Sequence, residues 1–372
     1  MLTRRLRILA IIGKLARITC ILPIYYWFSD RILYLAGDRW KRPELTEYSQ
    51  QSAARIALCS IYQPMGISRF VRRQLEYIRE LGYDIAVIAP HPLKDDDLNY
   101  VSSLCRYLVT RQHFGVDFAS FKDAILSIGF ERLAQYERVL LVNDSLLLPL
   151  GETARFEQQF RSANADVVGL FENASVARHI QSFFIDLSSR VMCSPQSQAF
   201  WNSYRPYRSR YHAIGCGEIQ FSQAVLYKVA DTIQLLYSQE NIYEAVAAQV
   251  QSDDDAAAMY ALLSDVFLPK HSPAIVPDIG PRERLLRHVR YLLEATNISH
   301  SCALLVVTFM SAPFLKRDLY FRLSYDLAQL KAVLSGQFEK ELVERILLEF
   351  RKRGSIRNLG TWSSILHFAG AK

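Results

Sequence analysis

The chain has 372 residues, half of them hydrophobic and 22% charged, with a formal net charge of +7 and 20 each of Tyr and Phe. That apolar and aromatic content excludes a disordered chain and suffices for one large α/β domain or two smaller ones. The six cysteines (Cys20, Cys59, Cys105, Cys193, Cys216, Cys302) are dispersed, without a C-x-x-C pair or zinc-like spacing, and read as core thiols of a reducing compartment rather than a disulfide framework.

The N-terminal stretch "RRLRILAIIGKLARITCILPIYYWFSDRILYLAG" is basic and apolar. Its longest charge-free run, Ile18 to Ser29, contains Pro23 and falls short of the about 20 apolar residues a spanning helix needs. No small-residue cleavage site follows, which disfavours a removable signal. Residues 1–40 therefore read as a helix or hairpin at an anionic membrane surface, or as a helix packed on the protein's own core or on a partner.

From Arg39 to Ala54 the polar composition predicts a linker. Ile56 to Ile61 then reads as a short strand broken at Gln63-Pro64-Met65-Gly66. Phe70, Leu75, Ile78 and Leu81 follow at helical spacing, with Gly82 as a stop, before the buried strand "IAVIAP". Strand, polar loop, helix, glycine, strand is the pattern of a parallel βαβ unit. The alternation continues with "FASFKDAILSIGF" (helix), "RVLLVND" (strand), "GETARFEQQFRSAN" (helix) and "DVVGLFE" (strand). "HIQSFFIDLSSRVM" is apolar and β-rich, and Ser194-Pro195 suits the cap and first turn of a helix. Beyond Gln220 the prediction is mostly helical. The acidic runs Asp95-Asp96-Asp97 and Asp253-Asp254-Asp255 read as solvated helix-start or loop charge.

In open α/β sheets ligands bind beyond the carboxyl ends of the strands. Asn143-Asp144-Ser145 follows the apolar run Val139 to Val142 and falls at that edge. A carboxylate there can hold Mg²⁺ or Mn²⁺ against a substrate phosphate, while the same three residues can also form a simple turn or helix cap. No P-loop, nucleophile elbow or dinucleotide fingerprint is present, which removes the commonest NTPase, hydrolase and dehydrogenase readings. The basic residues cluster in apolar helical contexts with no nucleic-acid module.

Several segments, taken in order, carry a resemblance: "RIALCSIYQPMGIS" (55 to 68), "HFGVDFASFKDAI" (113 to 125), "LLVNDSLLLPL" (140 to 150), "DVVGLFE" (166 to 172), "HIQSFFIDL" (179 to 187), Phe200-Trp201, "IGCGE" (214 to 218) and "NISH…APFLKRDL" (297 to 319). Over roughly residues 55 to 320 the chain resembles the rhamnan synthesis protein F family of polysaccharide and lipopolysaccharide biosynthesis proteins. The resemblance implies a GT-A-like nucleotide-diphospho-sugar domain with a mostly parallel sheet, flanked by the basic N-terminal segment and by C-terminal helices over 321–372. It implies a glycosyltransferase using a nucleotide-diphosphate sugar and a polysaccharide or lipid-linked acceptor, with rhamnose or another deoxyhexose as the sugar. The location it suggests is cytoplasmic and peripheral to the membrane.

Residue by residue, Asp144 resembles the carboxylate that anchors metal and diphosphate, with Asn143 and Ser145 beside it. Only one carboxylate stands where such enzymes carry two. Asp117 resembles a donor-site residue for base or ribose hydroxyls, although His113 and Ala119 depart from the family's usual Asn and Gly. Lys122, Lys316 and Arg317 are candidate diphosphate contacts, against the alternative of a solvated helix face or turn. Glu218, after two glycines expected to make a flexible loop, is the candidate general base, with a cap of helix 218–230 as its alternative. His179 and Gln181 are either core hydrogen-bonders or acceptor contacts, and His300 is either a late metal ligand or a buried structural histidine. A non-catalytic scaffold that keeps the fold is the rival reading of the whole chain.

Overall fold

The computed structural model describes residues 43–48, 53–111, 115–174, 176–263 and 279–358, together with Ile24, Phe28 and Ile32. The expectations placed on the N-terminal basic segment, on His113 and on residues beyond 358 lie, those three residues aside, outside the described part. Among the described residues no helix is long and apolar enough to cross a membrane.

An eight-stranded mixed sheet organises the chain. Its strands are β1 (Glu44–Glu47), β2 (Arg55–Ser60), β3 (Tyr83–Ala89), β4 (Tyr107–Thr110), β5 (Arg138–Asn143), β7 (Val167–Gly169), β10 (Phe184–Ser188) and β11 (Ile233–Leu235). Their spatial order is β1-β4-β3-β2-β5-β10-β7-β11. Six run one way, with β1 and β10 opposed, so the sheet is mostly parallel, as expected. Two short ribbons complete the strands: β6 (Leu146–Leu147) with β12 (Leu315–Lys316), and β8 (Glu172–Asn173) with β9 (His179–Ile180).

The middles of the central strands, residues 56–59, 85–89 and 139–142, are apolar because both faces are covered. Their pleat divides the side chains by alternation. Ala57, Cys59, Ile85, Val87, Leu140 and Val142 enter one core. Ile56, Leu58, Ala86, Ile88, Val139 and Leu141 enter the other. Helix α1 (Arg69–Glu80) packs Val71, Leu75 and Ile78 on the first face, its N-terminus capped by Ser68. Helix α2 (Asp117–Ile128) packs on the second, where Phe118 stacks on Trp201 at 5.6 Å within a cluster that includes Phe121, Phe200 and Phe221. Phe200-Trp201 is thus core.

Three expectations are corrected. The polar stretch after Arg39 is not merely a linker: Glu44–Glu47 forms an edge strand antiparallel to β4, held by backbone bonds that its polar side chains do not advertise. Ile233–Leu235 is a strand within the region expected to be helical, parallel to β7 and largely exposed. Gly215 and Gly217 do not form a loop before a helix starting at Glu218; residues 213–219 are π-helical inside a helical run that begins at Arg210. Gly217 is required there by packing, since a Cβ would meet the Phe118 ring at 2.9 Å.

Both acidic runs open helices, Asp95–Leu104 and Asp253–Met259, where carboxylates favour the N-terminal dipole. Asp97 is nevertheless buried and bound by Arg72 at 2.7 Å, so it is not solvated charge. The helices Leu327–Leu334 and Lys340–Arg353 place Leu330, Leu334, Ile346, Leu347 and Phe350 in the same core as the sheet.

Candidate functional site

The parallel strands β2, β3, β4 and β5 end on a common edge, and the loops that follow them line a cleft of about 510 Å³. Ser60 and Tyr62 come from the end of β2, Pro90 from β3, Gly115 and Asp117 from the segment after β4, and Asn143, Asp144 and Ser145 from β5. A wider groove of about 1010 Å³ lies elsewhere, lined by Arg69, Arg73, Gly151 and Gln337. It contains none of these strand-end carboxylates, so the smaller cleft is the candidate site.

Asn143 ties this edge together. Its Nδ2 donates to Asp117 Oδ2 at 2.6 Å, and its Oδ1 accepts from the Ser145 backbone N–H at 3.0 Å. Asp144 Oδ2 accepts from the Tyr62 N–H at 3.2 Å and from the Gln63 side chain. Asp117 stands in the first turn of α2 beside Ser60. Burial first, and the Asp144 carboxylate second, push the Asp117 carboxyl up to about 6, against the Asn143 bond and Lys316.

The opposite wall comes from the far end of the chain. Pairing of Leu315 with Leu147 and of Lys316 with Leu146 lays β12 alongside the Asn-Asp-Ser turn. Lys316 Nζ consequently donates to Ser145 Oγ at 2.7 Å and lies 4.1 Å from the Phe183 ring centroid. Burial pushes its ammonium down, and Arg210 adds to the shift, while Asp318, Glu218 and Asp117 oppose it. Arg317 donates to the Asp144 carbonyl at 3.0 Å, stands 3.5 Å from its carboxylate, and bonds Glu349 with its other amine.

His300 Nε2 lies 3.0 Å from Asp318 Oδ1, and Arg322 holds the other oxygen of that carboxylate. Burial alone would raise Asp318, but His300, Lys316 and Arg210 hold it well below the usual carboxylate range.

A third group sits between these walls. Glu218 Oε1 accepts from the Ser182 N–H at 2.6 Å, and Oε2 is 3.7 Å from His179 Nε2. The π-helical turn carrying Glu218 aims it at the strand ends, a placement that such turns recurrently serve at functional sites. His179 Nδ1 is engaged by the Ala177 carbonyl at 2.6 Å. Gln181 donates to Asn297 Oδ1 at 2.9 Å, and its buried Oε1 has no hydrogen-bond partner. An orphaned buried acceptor in a cleft wall costs free energy unless a ligand hydroxyl meets it.

The structure thus brings Asp117, Asn143, Asp144, Ser145, His179, Gln181, Glu218, His300 and Lys316 around one cleft, with Arg317 behind Asp144. It does not bring Lys122 there. That ammonium is buried and donates to the Asn202 and Tyr204 carbonyls, capping the end of the helix Pro195–Ser203. Sequence reasoning missed Gln63, which holds Asp144, and Arg210, Asp318, Arg322 and Arg353. Asp318 was within reach, being part of the "KRDL" motif; Arg210 and Arg353 carry no local signal.

The donor set around Asp144 does not fit a divalent ion. Among the described residues no three His, Cys, Asp or Glu side chains cluster as a metal site. His300 is committed to Asp318, Asp117 to Asn143, and a cation at Asp144 would meet the Arg317 guanidinium.

The chain is 25% identical over 205 residues to the uncharacterized protein y4gN of Sinorhizobium fredii (strain NBRC 101917 / NGR234), covering 54% of this chain. It spans only about half, 53%, of that relative's length. It also aligns with the mannosyltransferase PcManGT from Pyrobaculum calidifontis in complex with GDP-Man and Mn²⁺, over 92% of this chain and 96% of that one. Identity there is 11% and the TM-score 0.30, a likeness that carries no argument. Residues 85–232, which hold the βα edge, Asp117, Asp144 and Glu218, match the model of the Rhamnan synthesis protein F family.

Proposed function

We propose that the chain is a glycosyltransferase with a GT-A-like domain over residues 55–320, extended by C-terminal helices over 321–372. It would take a sugar from a nucleotide-diphosphate donor and place it on a lipid-linked or cell-surface polysaccharide or lipopolysaccharide. Rhamnose or another deoxyhexose is the sugar this reading names, on the strength of the family match. The observation that carries the reading is the juxtaposition of three chemistries in one cleft: strand-end carboxylates Asp117 and Asp144, the facing cation Lys316, and the polar group Glu218 with Gln181.

In this reading Asp117 holds the nucleoside hydroxyls, and Asn143, Ser145 and Lys316 lie along the diphosphate, with Arg317 keeping Asp144 in place. Gln181 and His179 meet the acceptor sugar. Glu218 accepts the proton of the acceptor hydroxyl as its oxygen bonds the sugar's anomeric carbon; the bond from that carbon to phosphate breaks, and the nucleoside diphosphate departs with the electron pair. The basic N-terminal segment would hold the site near a membrane-bound acceptor on the cytoplasmic side.

A thermal-shift panel of UDP, GDP, dTDP and CDP, run beside Asp117→Ala, tests this. A ligand at a hundred times its dissociation constant stabilises the fold by about 2.7 kcal/mol. A shift confined to one base and lost in the variant supports the donor site. No shift with any nucleotide, with partner transferases still captured, would favour the scaffold.

A further inference from the structure

The disagreement between the expected metal and the residues at Asp144 has a positive side. A sugar diphosphate entering the cleft brings negative charge to an edge that already holds Asp117 and Asp144. That charge needs a counter-charge in place before the bond to the leaving group can break. A divalent ion is one source. Fixed side-chain cations are another, and the cleft carries them: Lys316, Arg210, Arg322 and Arg353.

These four are not equivalent. Arg322 is spent on Asp318. Lys316 is oriented by Ser145 Oγ and backed by the Phe183 ring, so its ammonium is fixed at the turn where the diphosphate would lie. Arg210 and Arg353 line the same cleft; neither makes a direct salt bridge among the described residues, although Arg210 lies near enough to Asp318 to help hold its carboxyl down. They reach it from separate elements, Arg210 from the start of the helical run that carries Glu218 and Arg353 from the last turn of Lys340–Arg353. Meanwhile Asp144 already accepts from the Tyr62 N–H and lies 3.5 Å from the Arg317 guanidinium, a cation that it shares with Glu349 and that stands on the side a metal would approach.

We infer that this site neutralises its donor's diphosphate with protein cations, Lys316, Arg210 and Arg353, and not with a divalent ion at Asp144. The inference rests on the transferase reading above and specifies its electrostatics. Arg forks suit phosphate oxygens by bidentate donation, and lysine adds a compact point charge. The arrangement also assigns the C-terminal helix a part in the donor site, since it delivers Arg353.

The test is calorimetric titration of the full chain with UDP, GDP, dTDP and CDP, each in EDTA and again in Mn²⁺ or Mg²⁺. Arg353→Ala and Arg210→Ala are titrated beside it. Arg353 is exposed at a helix end, so its variant keeps the fold that removal of the buried Lys316 would disturb. One nucleotide should bind equally in EDTA and in metal. Each arginine variant should weaken it about tenfold, a cost of about 1.4 kcal/mol, and flatten its salt dependence. The nucleoside monophosphate should lose less than the diphosphate. Binding that needs Mn²⁺ or Mg²⁺, or that ignores both arginine substitutions, overturns the inference and leaves the transferase reading standing. No binding by any nucleotide, with or without metal, overturns both.

Discussion

The two walls of the cleft are built in opposite ways. The strand-end wall is local: Asn143 and Asp144 stand at the end of β5, Asp117 opens the helix after β4, and the sheet aligns these ends. The facing wall, with Lys316 and Arg317, depends on a ribbon of two residue pairs between β6 and β12, which brings Lys316 onto Ser145, 171 residues away. One wall follows from the βα pattern, whereas the other exists only once the chain has folded back. The acidic edge is therefore set by the sheet itself, whereas the cationic wall is seated by Phe314, Leu315 and Leu319 in the core and tied to the acidic edge by a small number of polar contacts that single substitutions can break.

The comparison can be sharpened from its strongest point downward. Glu218→Gln keeps the shape of the side chain and removes the basic oxygen. Turnover should fall about 10²- to 10⁴-fold while nucleotide affinity holds, as read from single-turnover release of nucleoside diphosphate. An unchanged rate would remove Glu218 from the chemistry.

Arg317→Ala leaves Glu349 and Asp144 without their shared cation in a buried setting. Breaking such a pair costs about 3–5 kcal/mol, measurable by urea unfolding. Arg317→Lys, which keeps the charge but loses the fork, should recover part of it. A loss below 1 kcal/mol on the alanine change, within the range of exposed pairs, would mean that the link between the walls is dispensable.

On the acidic wall the expected sign is reversed. Burial and Asp144 raise the Asp117 carboxyl from its ordinary 3.8 to about 6. A group raised in this way adds stability that is fully present below 3.8 and is lost as pH rises through about 6. Asp117→Asn stays neutral throughout. It should be more stable than the parent above pH 6 by up to about 3 kcal/mol, and the gap should close between pH 6 and 4. A gap that does not change with pH would sink the assignment. The variant should also bind nucleotide less well, so stability and function part company at this residue.

The smallest effect belongs far from both walls. Arg73 and Glu80 form an exposed pair at 2.6 Å on α1, and Glu80→Ala should cost less than about 1 kcal/mol and leave nucleotide binding untouched. It serves as the control against which the Arg317 result is judged.

Much of the fold follows from residues close together in sequence. The apolar runs Ile56 to Cys59, Ile85 to Ala89 and Val139 to Val142, each separated by helical spacing and a glycine, specify parallel strands covered on both faces. The position of Asp144 at the sheet's functional edge follows from the same pattern. Hydrophobic periodicity could not announce Glu44–Glu47 or Ile233–Leu235, because edge strands are held by backbone bonds and carry little apolar surface. It also misassigned Lys122, since the carbonyls that engage it belong to residues 80 and 82 positions away.

By itself the sequence determined the layered core and the acidic edge, because burial and pleat act on neighbouring residues. Only the tertiary structure decided which cations face that edge, that Glu218 rides a π-helical turn toward it, and that Arg317 stands where a metal was expected. Those placements depend on contacts between distant segments, for which one chain's local pattern carries no record.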